Sequence, residues 1–261
     1  MKLLLLLVLV IILVVYFRKR KNRVPGTAVS RDEMHGLLQQ NIVFYQRLTV
    51  EKQGLFRQRV QHFLDHVRIT PVGEVSLTDL DKLYVAAAAI IPIHAYPDWA
   101  YNNLDEVLIY PGHFDGQYQH ATEDARIMGM VGDGAMHRMM ILSLPALRAG
   151  FENNATGNTG IHEFVHLLDK ADGATDGIPE LMLPKQLLAP WLEQMRRAIH
   201  HIRTEEANDI NPYAGTNETE FFAVVSEYFF QKPDRLKEEH PELYRMLVTI
   251  YGYAGREQQT E

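Results

Sequence analysis

Residues His162-Glu-Phe-Val-His166, within Ile161-His-Glu-Phe-Val-His-Leu-Leu-Asp-Lys170, set two histidines four positions apart with a glutamate directly after the first. On an α-helix this spacing projects both imidazoles from one face, one turn apart, where they can share a metal ion. Glu163 lies beside them, within reach of a water that the metal activates. A Lewis acid to acidify water and a base to take its proton are what metal-assisted hydrolysis requires. So short a pattern also arises by accident on an ordinary helix with polar surface residues. The flanking residues argue against accident. Ile161, Phe164, Val165 and Leu168 occupy much of the remaining circumference, so the helix is expected to be largely buried with its histidines facing a cleft.

A catalytic zinc uses three protein ligands and a water, so two histidines leave it one short. His200 and His201 stand among Arg196, Arg197 and Arg203, the pattern of a solvated helix face. The segment NETEFFAVVSEYFF offers Glu220 and Glu227, seven residues apart and therefore on one helical face. Glu220 equally fits a capping box with Asn217 as N-cap, and Glu227 equally fits an ordinary glutamate in an aromatic-rich helix. Spacing leaves both open. Asp169, one turn after His166, suits either the orientation of an imidazole or a surface position at the helix end.

The elements around these residues can be read from periodicity and turn signals. Thr49 is placed to cap a helix carrying Phe56, Val60, Phe63, Leu64 and Val67, and Leu77–Ile91 reads as a second helix buried along its alanines. Glu106–Tyr110 reads as a strand stopped by Pro111-Gly112, and IMGMV with AMHRMMILSL reads as a β-hairpin around Gly132-Asp-Gly134. Met139–Ser143, taken as an edge strand beside the cleft, would let an extended substrate add through main-chain hydrogen bonds. Leu187–Ile202, Glu218–Gln231 and Glu242–Tyr253 read as helices, with Asn208–Thr216 a loop. Helices, a small sheet, then more helices imply a mostly helical α+β domain.

The chain has 261 residues, enough for a sizeable core. A net charge of −7 argues against nucleic acid as a partner. The lack of cysteine excludes disulfides, thiolate ligands and a cysteine nucleophile. Leu3–Phe17 is an unbroken apolar run flanked at once by RKRKNR. Bulky Tyr16-Phe17 and the basic residues stand where a signal peptide needs small residues, so the run is expected to be an uncleaved membrane anchor. Its basic flank would hold the remainder of the chain in the cytoplasm. The expected organisation is an anchor over residues 1–23, a linker over 24–33 and the catalytic domain over 34–261. On this organisation the chain is expected to be a single-pass protein of the bacterial inner membrane.

HEFVHLLD, DGIP at 176–179 and NPYAGTNETEFFAVVSEYFF together resemble the Mlc titration factor A family of zinc metallopeptidases, as do VAAAAIIPI and EVLIYPGHF upstream. The resemblance runs from about Phe44 to Tyr251, and the family's active site is in turn similar to the catalytic domain of anthrax lethal factor. It implies a zincin-like domain with one zinc per chain held by His162, His166 and Glu220. It further implies Glu163 as general base, Tyr213 as donor to the oxyanion, and a supporting role for Glu227. A peptide or protein is then the substrate, and the family name points to a regulatory protein partner. Soluble members lack the N-terminal anchor, which is read from this sequence alone. The alternative is a membrane-tethered regulator-binding protein with structural zinc. Glu163 has no role in that reading, and structural zinc usually has four protein ligands.

Overall fold

The computed structural model describes residues 30–112, 129–131, 138–152, 155, 157–204 and 209–252. Ten α-helices and four strands are assigned among these residues. In chain order they are α1 (Arg31–Asn41), α2 (Val43–Gln46), α3 (Val50–His66), β1 (Arg68–Pro71), α4 (Asp79–Ile90), β2 (Glu106–Tyr110), β3 (Gly129–Val131), β4 (Met139–Ser143), α5 (Leu144–Ala149), α6 (Thr159–Asp169), α7 (Leu188–Thr204), α8 (Glu218–Gln231), α9 (Pro233–Glu239) and α10 (Pro241–Ile250). Helices dominate and one small sheet sits among them, the α+β arrangement expected.

The sheet order is β1-β2-β4-β3. The first three strands run parallel, with Val107 opposite Ile69 and Met140. Parallel neighbours need a crossover between them, and α4 provides it between β1 and β2. β3 pairs antiparallel with β4, Met130 facing Ile141, as the hairpin reading required; its Gly132–Gly134 turn lies outside the described residues. The edge position expected for Met139–Ser143 is corrected, because β2 and β3 pair with β4 on its two sides. β1 escapes sequence reading because it is short, ends in proline and shows no alternation of buried and exposed residues.

Local chemistry starts and stops the helices. Thr49 caps α3 by accepting from the Lys52 N–H at 3.4 Å. Thr78 and Asp81 form a reciprocal capping box at the start of α4. Asp81 also receives two hydrogen bonds from the Arg148 guanidinium, tying α4 to α5. α1 begins at Arg31 on a Ser30 cap, three residues inside the expected linker. The expected terminal helix Glu242–Tyr253 is α10, and the short α9 precedes it outside that range; proline opens both.

The core closes around α4 and α6. Val85 to Ala89 are fully buried, and their small side chains admit α6 at close range. A Cβ built on Gly160 would lie 2.8 Å from the Ala88 Cβ. On its other side α6 packs against α8, whose Phe221, Phe222, Val225 and Phe229 are buried. α7 covers this layer with Trp191, Met195, Ile199 and Ile202 and leaves His200 and His201 exposed, as their neighbours implied.

The expected single-pass inner-membrane location is corrected as well. No helix among the described residues is long and apolar enough to cross a membrane, and Leu3–Phe17, on which that expectation rested, lies outside them. Membrane attachment therefore takes no part in the functional reading.

The α4–α6 contact leaves no room for a larger side chain. Ala88→Leu is expected to destabilise the protein by about 1–3 kcal/mol through overpacking, measured by denaturant unfolding.

Candidate metal centre

α6 begins at Asn158, whose side chain accepts the Ile161 N–H at 3.0 Å and donates to the Gly150 carbonyl at 2.7 Å. Its apolar residues face α4 and α8, which turns His162 and His166 towards the start of α8. The two imidazoles stand 4.6 Å apart, centre to centre, nearly perpendicular. Glu220 enters from α8. Its Oε2 lies 3.0 Å from Nε2 of His162 and 3.6 Å from Nε2 of His166. Of the two carboxylates that spacing left open, Glu220 is therefore the one that meets both rings. Its own N–H is capped by Asn217 at 2.9 Å, so the capping role read from the sequence is present for its backbone while its side chain serves the histidines.

Glu227 takes the other side of His162, accepting from Nδ1 at 2.7 Å. Asp169 does not hydrogen-bond His166; it accepts the Gly177 N–H at 3.0 Å. Gly177 has φ +76, and a Cβ there would fall 2.3 Å from the Glu218 carbonyl. Its own carbonyl accepts the Trp191 indole N–H at 2.8 Å. Asp169 thus holds the DGIP turn tightly against the first turn of α8, which carries Glu220.

Tyr213 sits on a short 3-10 turn, Pro212–Gly215, immediately before α8. Its ring centre is 6.1 Å from that of His162, and the residue is 51% exposed. Arg203 anchors this turn from α7, donating to the carbonyls of Gly215 at 2.6 Å and Thr216 at 2.9 Å. Sequence reading passed over that anchor, because an arginine at a helix end among other basic residues reads as surface. Glu163 is only 5% exposed.

Negative charge is concentrated here. Burial is the largest influence on His162 and disfavours its charge. Hydrogen bonds to Glu220 and Glu227, with the charges of Glu227 and Glu163, outweigh burial and raise it to about 10. Burial pushes Glu220 up, but its bonds and charge interactions with both histidines hold it at about 2. Burial raises Glu163, and the neighbouring Glu220 and Glu227 add to the rise against the two histidines. Burial and then the charges of Glu220 and Glu163 raise the Tyr213 hydroxyl. A cation bound among these carboxylates would relieve the same imbalance.

The donor set suits a zinc-type ion. His162, His166 and Glu220 each offer a ligand atom, all within 4.8 Å of one another. Donors at about 2.05 Å from a tetrahedral zinc stand about 3.3 Å apart, and the observed 3.0 and 3.6 Å bracket that spacing. Two imidazoles and a carboxylate make three protein donors, one fewer than a closed structural zinc site uses, so a zinc held here would have room for a fourth ligand.

A family model described as glucose-regulated metallo-peptidase M90 matches residues 16–252. A protein of Synechocystis described as uncharacterized is 30% identical, covering 82% of this chain and 82% of that protein. Mlc titration factor A of Pectobacterium atrosepticum is 29% identical over 78% of this chain and 80% of its own length. That of Escherichia fergusonii is 30% identical over the same shares, 78% and 80%.

The shifts of His162 and Glu220 set the pH dependence of the chelator-treated protein. His162 is raised from 6.5 to about 10, so its contribution is full below 6.5 and is lost as pH rises through about 10. Glu220 is lowered from 4.5 to about 2, so its contribution is full above 4.5 and is lost as pH falls through about 2. Between pH 6.5 and 10, the melting temperature of chelator-treated wild type should fall more steeply than that of Glu220→Gln.

Proposed function

This chain belongs to the glucose-regulated metallo-peptidase M90 family, and we propose that it is a zinc-dependent peptidase that hydrolyses peptide bonds in peptide or protein substrates. The observation that carries this reading is the meeting of His162, His166 and Glu220 beside a buried carboxylate, Glu163, that none of the three needs as a partner. In this reading His162 and His166 hold the ion through Nε2 and Glu220 through a carboxylate oxygen. When bound, zinc supplies a Lewis acid that polarises the scissile carbonyl and brings the pKa of a water towards roughly 7.

The remaining chemistry belongs to the chain's own residues. Glu163 is the general base: it takes the proton of the attacking water and passes it to the leaving amine. Burial helps it, because a carboxyl pushed up from 4.5 holds a proton more readily near neutral pH. Tyr213 donates its hydroxyl to the oxyanion that forms on the former carbonyl oxygen. Its exposed ring beside His162 and the Arg203-anchored turn support this placement. A hydroxyl raised by burial, and further by Glu220 and Glu163, stays protonated and able to donate.

The name Mlc titration factor A, borne by several relatives, supports a second activity alongside the first: binding of a regulatory protein. The two are separable, because binding a partner does not require a base at position 163.

The purified full chain, loaded with zinc, is expected to cleave peptide substrates. Glu163→Gln should retain one zinc per chain and lose about 10²–10⁴-fold in kcat. Equal activity in that variant would remove Glu163 from the mechanism. Absence of cleavage in the wild type, with metal bound, would favour the binding role alone. Tyr213→Phe should keep zinc and lose about 10²–10³-fold in kcat with a smaller change in KM, measured by steady-state kinetics on the same peptide.

A further inference from the structure

His162 is gripped from two directions. Its Nε2 faces Glu220, while Nδ1 donates to Oε1 of Glu227 at 2.7 Å. The second oxygen of that carboxylate, Oε2, accepts the backbone N–H of Asn158, the N-cap of α6. One half-buried carboxylate therefore secures both the start of the helix and the ligand in its first turn. Both of its partners are donors. A carboxylate can accept from the two together, whereas an amide would turn an NH₂ towards one of them.

Gly157 completes the arrangement. A Cβ built there would lie 2.8 Å from Oε2 of Glu227. The Gly157 carbonyl accepts from Nε2 of Gln231 at 3.1 Å, and the same Nε2 reaches the Gly150 carbonyl. These bonds resist any retreat of the loop, so an added methyl would displace the carboxylate. Gly157 is not among the residues with positive φ, so alanine fits the backbone. Glycine here supplies space, not conformational freedom.

We propose that Glu227 and Gly157 form a positioning unit for the metal. Glu227 keeps the proton of His162 on Nδ1 and fixes the ring so that the Nε2 lone pair points at the ion. The bare Cα of Gly157 is the space in which that carboxylate fits. Neither residue touches substrate; both act through His162. The proposal rests on the reading of His162, His166 and Glu220 as a metal centre.

The test uses the full chain freed of metal, with zinc affinity measured against a competing chelator. The visible spectrum of the Co²⁺-loaded protein reports ligand geometry independently of activity. Wild type should bind one equivalent. Glu227→Ala and Gly157→Ala should each weaken zinc binding about 10–100-fold and change the Co²⁺ spectrum. Glu227→Gln, able to accept from only one donor, should fall between wild type and Glu227→Ala. Circular dichroism of metal-free Gly157→Ala should match wild type, so this variant decides the matter even if Glu227→Ala fails to fold. Adding Gly157→Ala to Glu227→Ala should cost nothing further, because the displaced group is already gone. Unchanged affinity and spectrum in Gly157→Ala would overturn the proposal, as would additive losses in the double variant. Failure of wild type to bind zinc at all would instead overturn the metal-centre reading, and is seen before any variant is made.

Discussion

His162 and Glu220 are separated by 58 positions, and only the packing of α6 against α8 brings them within 3.0 Å. That contact is built largely from apolar side chains with no chemistry of their own. Ile161, Phe164 and Val165 on α6, with Phe221, Phe222 and Val225 on α8, are all buried. Hydrophobic burial sets the distance between the helices, and the polar residues of the site occupy the edge of the same interface. A core change that shifts α8 by an ångström would move Glu220 out of reach of the imidazoles without altering His162, His166 or Glu220 itself.

Polar fastenings refine what burial leaves approximate. Asp169 at the end of α6 holds Gly177, whose turn lies against Glu218. Asn217 caps the helix on which Glu220 is the third residue. Arg203 holds the turn that carries Tyr213. These bonds lie at the ends of helices, where free N–H and carbonyl groups need partners in any case. The fold satisfies those ends with residues that also aim the site.

The electrostatic balance arises from the same crowding. Glu163, Glu220 and Glu227 surround two imidazoles at close range, so protons are held strongly on His162 and Glu220 is left ionised. Protonation of His162 at Nε2 and metal binding there exclude each other, since both need the same lone pair. The local excess of negative charge favours a dication in that competition.

The local sequence determined much of this protein. The spacing of His162, Glu163 and His166, the apolar residues between them, the helix around Glu220 and the strand Glu106–Tyr110 are legible because helices and strands impose periods on side chains. Other features were settled only in three dimensions. Strand order, and with it the interior place of Met139–Ser143, depends on pairing between segments distant in the chain. The division of labour between Glu220 and Glu227 could not be read from two positions seven residues apart on one face. It depends on where the axis of α8 crosses α6, one carboxylate reaching Nε2 of His162 and the other Nδ1. Likewise Asp169, read as a possible partner of an imidazole, holds Gly177 instead. Spacing along one helix defines a face; only the tertiary packing decides what that face meets.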